Sequence, residues 1–399
     1  MNPSTEHAVA ARPLDGLKVL DFSRVLAGPY CTALLADLGA DVLKIESPGG
    51  DDYRHIGPFF PDGASAVFES VNRGKRSAVL DLGTADGRRV VHALATQADV
   101  VVENFRPGVA ARLGIGFDEL AAINPRLVYL SISGFGQDGP NAARPAYDVI
   151  MQALSGIMAV TGGKDGPPTL IGESVADITS GLFGSWAILA ALIERSRTER
   201  GRYIDLAMFD AMIALQPTVV ARMFATGTPP RRAGNRHPAS APFGIYAAAD
   251  GDFALAILNN KLFATFAAAI GKPDLARDPR FLDDARRIAS GDVLAAEIEA
   301  WSRALTVAQV VAELSEAGVP AGEVNDMTTA LASAQARHRP PLQPITTIDA
   351  PAPRLSPQQP ARFRGTPTQA TRRAPALGAD TDAVIAAPGL AWPTSRRSS

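Results

Sequence analysis

Cysteine occurs once in 399 residues, at Cys31, so no disulfide can close within the chain, and the count suits a reducing compartment. Histidine is scarce as well. His7, His55, His92, His237 and His338 are scattered without ligand spacing, which argues against a metal site. Neither sign of charge dominates: 39 basic and 41 acidic side chains leave a net charge of -2, and nothing points to nucleic acid or an anionic membrane. The longest apolar run, LFGSWAILAALI at 182–193, is too short to span a bilayer and reads as a core helix. The first twelve residues, MNPSTEHAVAAR, lack the apolar core of a signal peptide. The expectation is a cytoplasmic globular protein.

Several catalytic signatures are missing too. The turn after the first apolar strand, DFSRVLAGP, holds one glycine and no GxGxxG, so the nicotinamide fingerprint fails. Glu46, at the end of the next strand, is open to two readings, a contact to a ribose hydroxyl or an exposed strand-end acid. NRGKRS (72–77) lacks the earlier glycine of a P-loop and the Ser/Thr directly after its lysine. No GxSxG elbow exists. Cys31 falls in an apolar helical stretch and reads as a packed thiol, not a nucleophile.

What is present is 46% hydrophobic residues over a length that suits two domains. Short apolar runs at 16–22, 41–47, 76–82, 99–105 and 126–136 alternate with helical spacing at 29–40 and 85–98. That alternation predicts a mostly parallel sheet with helices on both faces. Helices are expected at 147–160 and 178–196, and a strand running into a helix at 202–224, disturbed near Pro217. The stretch 226–242, rich in Pro, Gly and Arg, reads as a linker. Beyond it, 244–260 reads as two strands around an Asp-Gly turn, and 261–270 and 292–318 as helices, a small α+β domain. From Pro340 to Pro375 the proline content suits an extended crossing. Lys75, Arg76, Arg106 and Arg112 fall near strand ends, where ligands of open α/β sheets sit. A polyanionic ligand or a solvated basic surface both fit them.

An ordered set of phrases resembles the CoA-transferases of family III, the formyl-CoA transferase and carnitine CoA-transferase type, which are related to α-methylacyl-CoA racemases. The set includes LDGLKVLDFSRVLAGP (14–29), LGADVLKIESPGGDD (38–52), NRGKRSAVLDL (72–82), ADVVVENFRPG (98–108), LVYLSISGFGQDGP (127–140), YDVIMQALSGIMAVTG (147–162), VADITSGLFGSWAILAAL (175–192) and TERGRYIDLAMFDA (198–211), with matches on to about residue 390. The resemblance implies a Rossmann-like large domain plus a smaller α+β domain in an interlocked homodimer. The domains would be 1–225 (large), 226–242 (linker), 243–330 (small) and 331–399, a segment returning to the large domain. It also implies an enzyme that moves CoA from an acyl-CoA to a free carboxylic acid through aspartyl anhydride and enzyme–CoA thioester intermediates. The CoA thioester would be a substrate, with no tightly bound cofactor and no metal.

Carried over by position, the nucleophile is Asp177. The pattern alone also fits an ordinary N-cap aspartate, since Asp177 opens a long apolar helical run where backbone N–H groups favour a carboxylate. CoA contacts are implied at Arg24, Val25, Leu26 and Ala27 in the first turn, at Ser47, at Lys75 and Arg76, at Asn104 and Phe105, and at Arg112. Tyr147 and Asp148 stand where the racemase branch carries a His-Asp pair. Racemisation needs two acid/base groups about the α-carbon, so the missing histidine disfavours it, and the pair becomes a candidate for substrate contact. Leu258-Asn259-Asn260-Lys261 stands where many relatives carry a glycine-rich lid, leaving Asn259 and Asn260 as candidate substrate contacts. The expected acceptor is a short dicarboxylate, because basic residues are plentiful near the implied site. The rival activity is an acyl-CoA racemase or epimerase, and the rival class a non-catalytic CoA-binding protein.

Overall fold

The computed structural model describes residues 11–346, 353–366 and 372–393. Nearly all of the opening twelve residues, and parts of the expected extended crossing at 340–375, lie outside the described residues. The chain divides into two compact units. One comprises the residues up to Ile157, Ile171–Phe224 and the described residues from Pro340 onward; the other comprises Met158–Leu170 and Ala225–Arg339.

The first unit holds six parallel strands: β1 (Lys18–Asp21), β2 (Asp41–Glu46), β3 (Arg76–Val79), β4 (Val100–Glu103), β5 (Val128–Ser133) and β6 (Arg202–Ala207). Their order is β3-β2-β1-β4-β5-β6, the doubly wound arrangement, with Val19 of β1 opposite Val42 on one side and Val100 on the other. The inner strands are rich in apolar residues because both faces are covered, whereas β3 (RSAV) and β6 (RYIDLA) carry charge. Val19, Val42, Val100, Val102 and Leu130 belong to one core, with Cys31 and Leu35 of helix α1 (Ala27–Asp37). Leu20, Leu43, Val101 and Tyr129 point the other way, onto the helix Ala85–Ala95. The period-two split of neighbouring residues is what the pleat imposes.

Two further helices frame the sheet's C-terminal edge, α2 (Asp148–Leu154) and α3 (Val175–Thr198). Helix α3 has the length and composition of a membrane span, the one such helix among the described residues, yet it lies along α1 and against β5 and β6. Close approach to α1 depends on Gly181: a Cβ there would stand 2.9 Å from the Ala27 carbonyl oxygen and 2.9 Å from the Tyr30 ring. Asp177 lies one turn earlier on the same helix face, so the residue that lets the helices touch also sets where the carboxylate sits.

In the second unit, β7 (Phe243–Ala247), β8 (Asp252–Ala256) and β9 (Ala321–Glu323) form an antiparallel sheet over a core that includes Phe253, Phe263, Phe266 and Leu314. Three expectations differ here. The expected linker does not run free: Asn235 accepts from the Ile245 N–H at 2.9 Å and His237 donates to the Phe243 carbonyl at 2.7 Å, so 234–237 lie beside β7. Residues 158–170, expected in the large domain, join this unit, where Arg232 donates to the Ala159 carbonyl. The helix expected over 292–318 is two helices, Gly291–Ser302 and Val307–Glu316, because Thr306 and Gln309 close a capping box that starts a new helix.

Lys75 and Arg76 also differ from expectation. Lys75 is fully buried, and its Nζ donates to Asp21 Oδ2, the Pro29 carbonyl and Asn72 Oδ1, each at 2.9 Å. Arg76 forks onto Asp41 at 2.9 and 2.8 Å and donates to the Pro393 carbonyl at 3.0 Å. With these nitrogens engaged inside the unit, neither side chain presents the free cation a phosphate would seek. Removing one partner of a buried pair typically costs about 3–5 kcal/mol. Lys75→Met is therefore expected to lower the urea midpoint markedly, with any change in affinity for free CoA, measured by calorimetry on the folded variant, smaller than that loss of stability. A phosphate ligand would show the opposite pattern.

Candidate active site

The strand order reverses between β1 and β4, and the crevice at the C-terminal ends of these two strands is where doubly wound sheets bind ligands. The turn leaving β1 is built on buried charge. Asp21 accepts from Ser23 N at 2.9 Å, Thr32 Oγ1 at 2.7 Å and Lys75 Nζ at 2.9 Å. Burial alone would raise its pKa, but the charges of Lys75 and Lys44 hold the carboxyl down at about 2. Lys44, also buried, donates to the Ser23 carbonyl at 2.6 Å and pairs with Asp51 at 2.8 Å.

Above this layer the turn is clamped from two sides. Arg24 and Asn104 exchange hydrogen bonds across the crevice, Arg24 N to Asn104 Oδ1 at 2.8 Å and Asn104 Nδ2 to the Arg24 carbonyl at 2.7 Å. Val25 N donates to Asp51 Oδ1 at 3.0 Å. Val25 is thereby held at φ +68°, a left-handed conformation that a β-branched residue adopts only under constraint, at a cost of about 1–3 kcal/mol. The strained turn delivers Ala27 into the first turn of α1, with its N–H toward α3.

Asp177 faces that N–H from the first turn of α3, partly buried. Burial and the nearby charge of Asp148 push its pKa up to about 7, and the Ala27 backbone hydrogen bond pulls the other way. Asp148 does not cap its own helix. Its Oδ1 accepts from Ala176 N at 2.7 Å, capping α3 from outside, and its Oδ2 accepts from Gln152 Nε2 at 2.7 Å. Two carboxylates thus share one helix N-terminus.

A cavity of about 250 Å³ opens here, lined by Arg24, Val25, Ala27, Asn104, Phe105, Tyr147 and Asp177 among the residues singled out from sequence. A second cavity, of about 270 Å³, is lined by Arg24, Ser47 and Phe105 together with Lys44, Asp51 and Leu82. Arg24 and Phe105 thus stand in the walls of both. Leu26 is the residue before α1 and lines neither cavity, nor does Arg112. Glu46 is neither exposed nor free: Arg54 grips it at 2.7 and 2.8 Å and Ser77 Oγ donates at 2.6 Å. Asn259 and Asn260 belong to the second unit. Asn259 caps its helix by accepting from Leu262 N at 2.8 Å, and Asn260 accepts from Arg287 Nη1 at 2.9 Å.

Sequence reasoning passed over Tyr53, Ser133 and Arg144. Burial, then the charges of Asp177, Asp51, Asp148 and Glu173, push the Tyr53 pKa up to about 12. Tyr53 directly follows the GGDD phrase. Ser133 ends β5 and lines the Asp177 cavity with Arg106 and Arg144, and its place at a strand's C-terminal end was the available signal.

A model of CoA-transferase family III matches residues 14–381. The chain belongs to CoA-transferase family III. It is 47% identical over 320 residues, 80% of this chain and 82% of the relative, to an acetyl-CoA:oxalate CoA-transferase of Acetobacter aceti. It is 39% identical over 340 residues, 82% of this chain and 84% of the relative, to a succinate–glutarate CoA-transferase of Agrobacterium fabrum. Among solved structures, a CaiB/BaiF family protein from Brucella suis superposes with a TM-score of 0.84 at 39% identity, covering 94% of this chain and 99% of that one. Family III membership makes the chain an enzyme, a CoA-transferase.

If Asp148 raises the Asp177 pKa, Asp148→Asn is expected to lower it by on the order of one unit. Carbon-13 NMR titration of labelled aspartate, with Asp177→Asn for assignment, checks the shift; an unmoved titration leaves burial as the sole cause.

Proposed function

We propose that Asp177 is the nucleophile of this transferase and that the cavity beside it holds the acyl group in transit. The observation that carries the reading is a partly buried carboxylate in a cavity wall at the switch point, beside the first backbone N–H of α1. Asp177 attacks the thioester carbonyl of the donor, giving a mixed anhydride and CoA thiolate. The thiolate attacks the aspartyl carbonyl, releasing the donor acid and leaving an enzyme–CoA thioester. The acceptor carboxylate displaces the thiolate to form a second anhydride. The thiolate then takes the acceptor acyl group and frees Asp177.

The chain's part is electrostatic. A carboxylate is a weak nucleophile, and one stripped of water is a stronger one, which the raised pKa reflects. The N–H of Ala27 suits the oxyanion that forms on the aspartyl carbonyl when thiolate attacks it. CoA would run through both cavities past Arg24 and Phe105, with Ser47 in the second. The first would take the acyl end beside Tyr147, while Asp148 positions α3.

A short dicarboxylate acceptor is supported by relatives named for oxalate, mesaconate, glutarate and citramalate, and by Arg24, Arg106 and Arg144 in the cavity wall. We also read the enzyme as a cytoplasmic homodimer of interlocked chains without a tightly bound cofactor. The apolar side chains of Leu182, Trp186 and Ile193 that α3 leaves exposed favour a covered face.

The test is a panel of acids with succinyl-CoA and acetyl-CoA, with products identified by mass spectrometry. Transfer to at least one dicarboxylate is expected, and Asp177→Ala is expected to lose about 10³-fold or more. Because the ionised form attacks, kcat/KM for the donor should rise with pH through about 7 and fall away below it. Normal turnover by Asp177→Ala, or α-proton exchange in deuterated water without transfer, contradicts the reading.

A further inference from the structure

Ser133 is the last residue of β5, so the sheet itself holds its Cα at the cavity wall, with Ala207 of β6 as its register partner. Ser133 is 6% exposed, and its Oγ has no hydrogen-bond partner among the described residues. Other buried hydroxyls of this unit are satisfied: Ser23 and Thr32 bond Asp21, Ser131 bonds Glu103, and Ser180 bonds the Ala176 carbonyl. A buried hydroxyl left unpaired costs free energy that a neighbouring alanine would not, so one kept in the wall of a site calls for a partner in the ligand. The wall it stands in is that of the Asp177 cavity; it does not line the second cavity, where Lys44 and Ser47 stand. Its reach is therefore toward the acyl end of a thioester and away from the nucleotide end. It is neutral, so it cannot compensate a carboxylate charge as Arg106 and Arg144 in the same wall can. A neutral donor suits an uncharged acyl oxygen and fixes orientation.

We propose that Ser133 Oγ–H donates a hydrogen bond to the acyl oxygen of the group being transferred, positioning its carbonyl carbon for Asp177. This rests on the cavity's reading as the acyl-transfer site. No bond is made or broken at Ser133; the hydroxyl keeps its proton throughout.

The experiment compares wild type, Ser133→Ala and Ser133→Cys in steady-state kinetics with donor and acceptor varied separately, in free-CoA affinity by calorimetry, and in thermal midpoint. Ser133→Ala is expected to lose about tenfold in kcat/KM for acyl transfer. Its affinity for free CoA should be unchanged and its thermal midpoint equal or higher, because an unsatisfied group has been removed. Ser133→Cys, a weaker donor of similar size, should fall between the two. Kinetics of Ser133→Ala within about twofold of wild type overturn the proposal. So does an equal loss in free-CoA affinity, which would put the hydroxyl on the nucleotide side. So does a lowered midpoint, which would make Ser133 a structural hydrogen-bonding group. Wild type that transfers no CoA at all overturns the functional reading and this one with it, whereas active wild type beside an unaffected Ser133→Ala overturns this one alone.

Discussion

A carboxylate that water reaches poorly, set against the start of one helix while it belongs to the start of another, is the contact around which this molecule is arranged. Asp177 is made costly to ionise by burial and by Asp148, and the Ala27 N–H returns part of that cost. Neither helix could supply the arrangement alone. Helix α3 brings the acid and α1 brings the N–H. Gly181 lets them come close enough, because any side chain there would press on the Ala27 carbonyl. A folded protein carries such a group only where its surroundings leave it no better placement.

Those surroundings are the ionic layer under the β1 turn. Asp21, Lys75, Lys44 and Asp51 are buried together at the sheet's C-terminal edge, each with hydrogen-bonding or ion-pair partners on neighbouring elements. Buried pairs of this kind add little net stability over a well-packed apolar core, but they tolerate few geometries. Here the geometry they enforce is a left-handed Val25 and an Ala27 amide aimed at α3. The cost of the strain and the cost of the desolvated acid fall on the same few residues. The strands share in it: their apolar residues pack on both faces of the sheet, while Asp21 at the end of β1 and Lys44 within β2 are part of the ionic layer.

Much of this was readable from the order of residues alone. The strand-helix alternation over the first half predicts the parallel sheet, because strands buried on both faces read as short, mostly apolar runs. Asp177 was legible twice over, as the acid opening a long apolar helix and as the matching position of a family phrase. What was not legible is informative. Lys75 and Arg76 look like surface cations in one dimension, and only the fold brings Asp21 and Asp41 against them. A pairing 54 residues apart leaves no local pattern. The break in the helix at 303–306 did leave one, the Thr306–Gln309 box, and was missed because the apolar spacing continues through it. Ser133 and Tyr53 carry no motif of their own. Their significance is an unpaired oxygen in one case and a surrounding of carboxylates in the other, and both exist only in three dimensions.

The most direct test of the account is covalent. Enzyme incubated with an acyl-CoA and no acceptor, then treated with borohydride or hydroxylamine and digested, should yield one modified peptide, with the change localised by mass spectrometry to Asp177. A modification confined to another residue, or none under conditions that support turnover, would contradict the claim that this poorly solvated carboxylate carries the group.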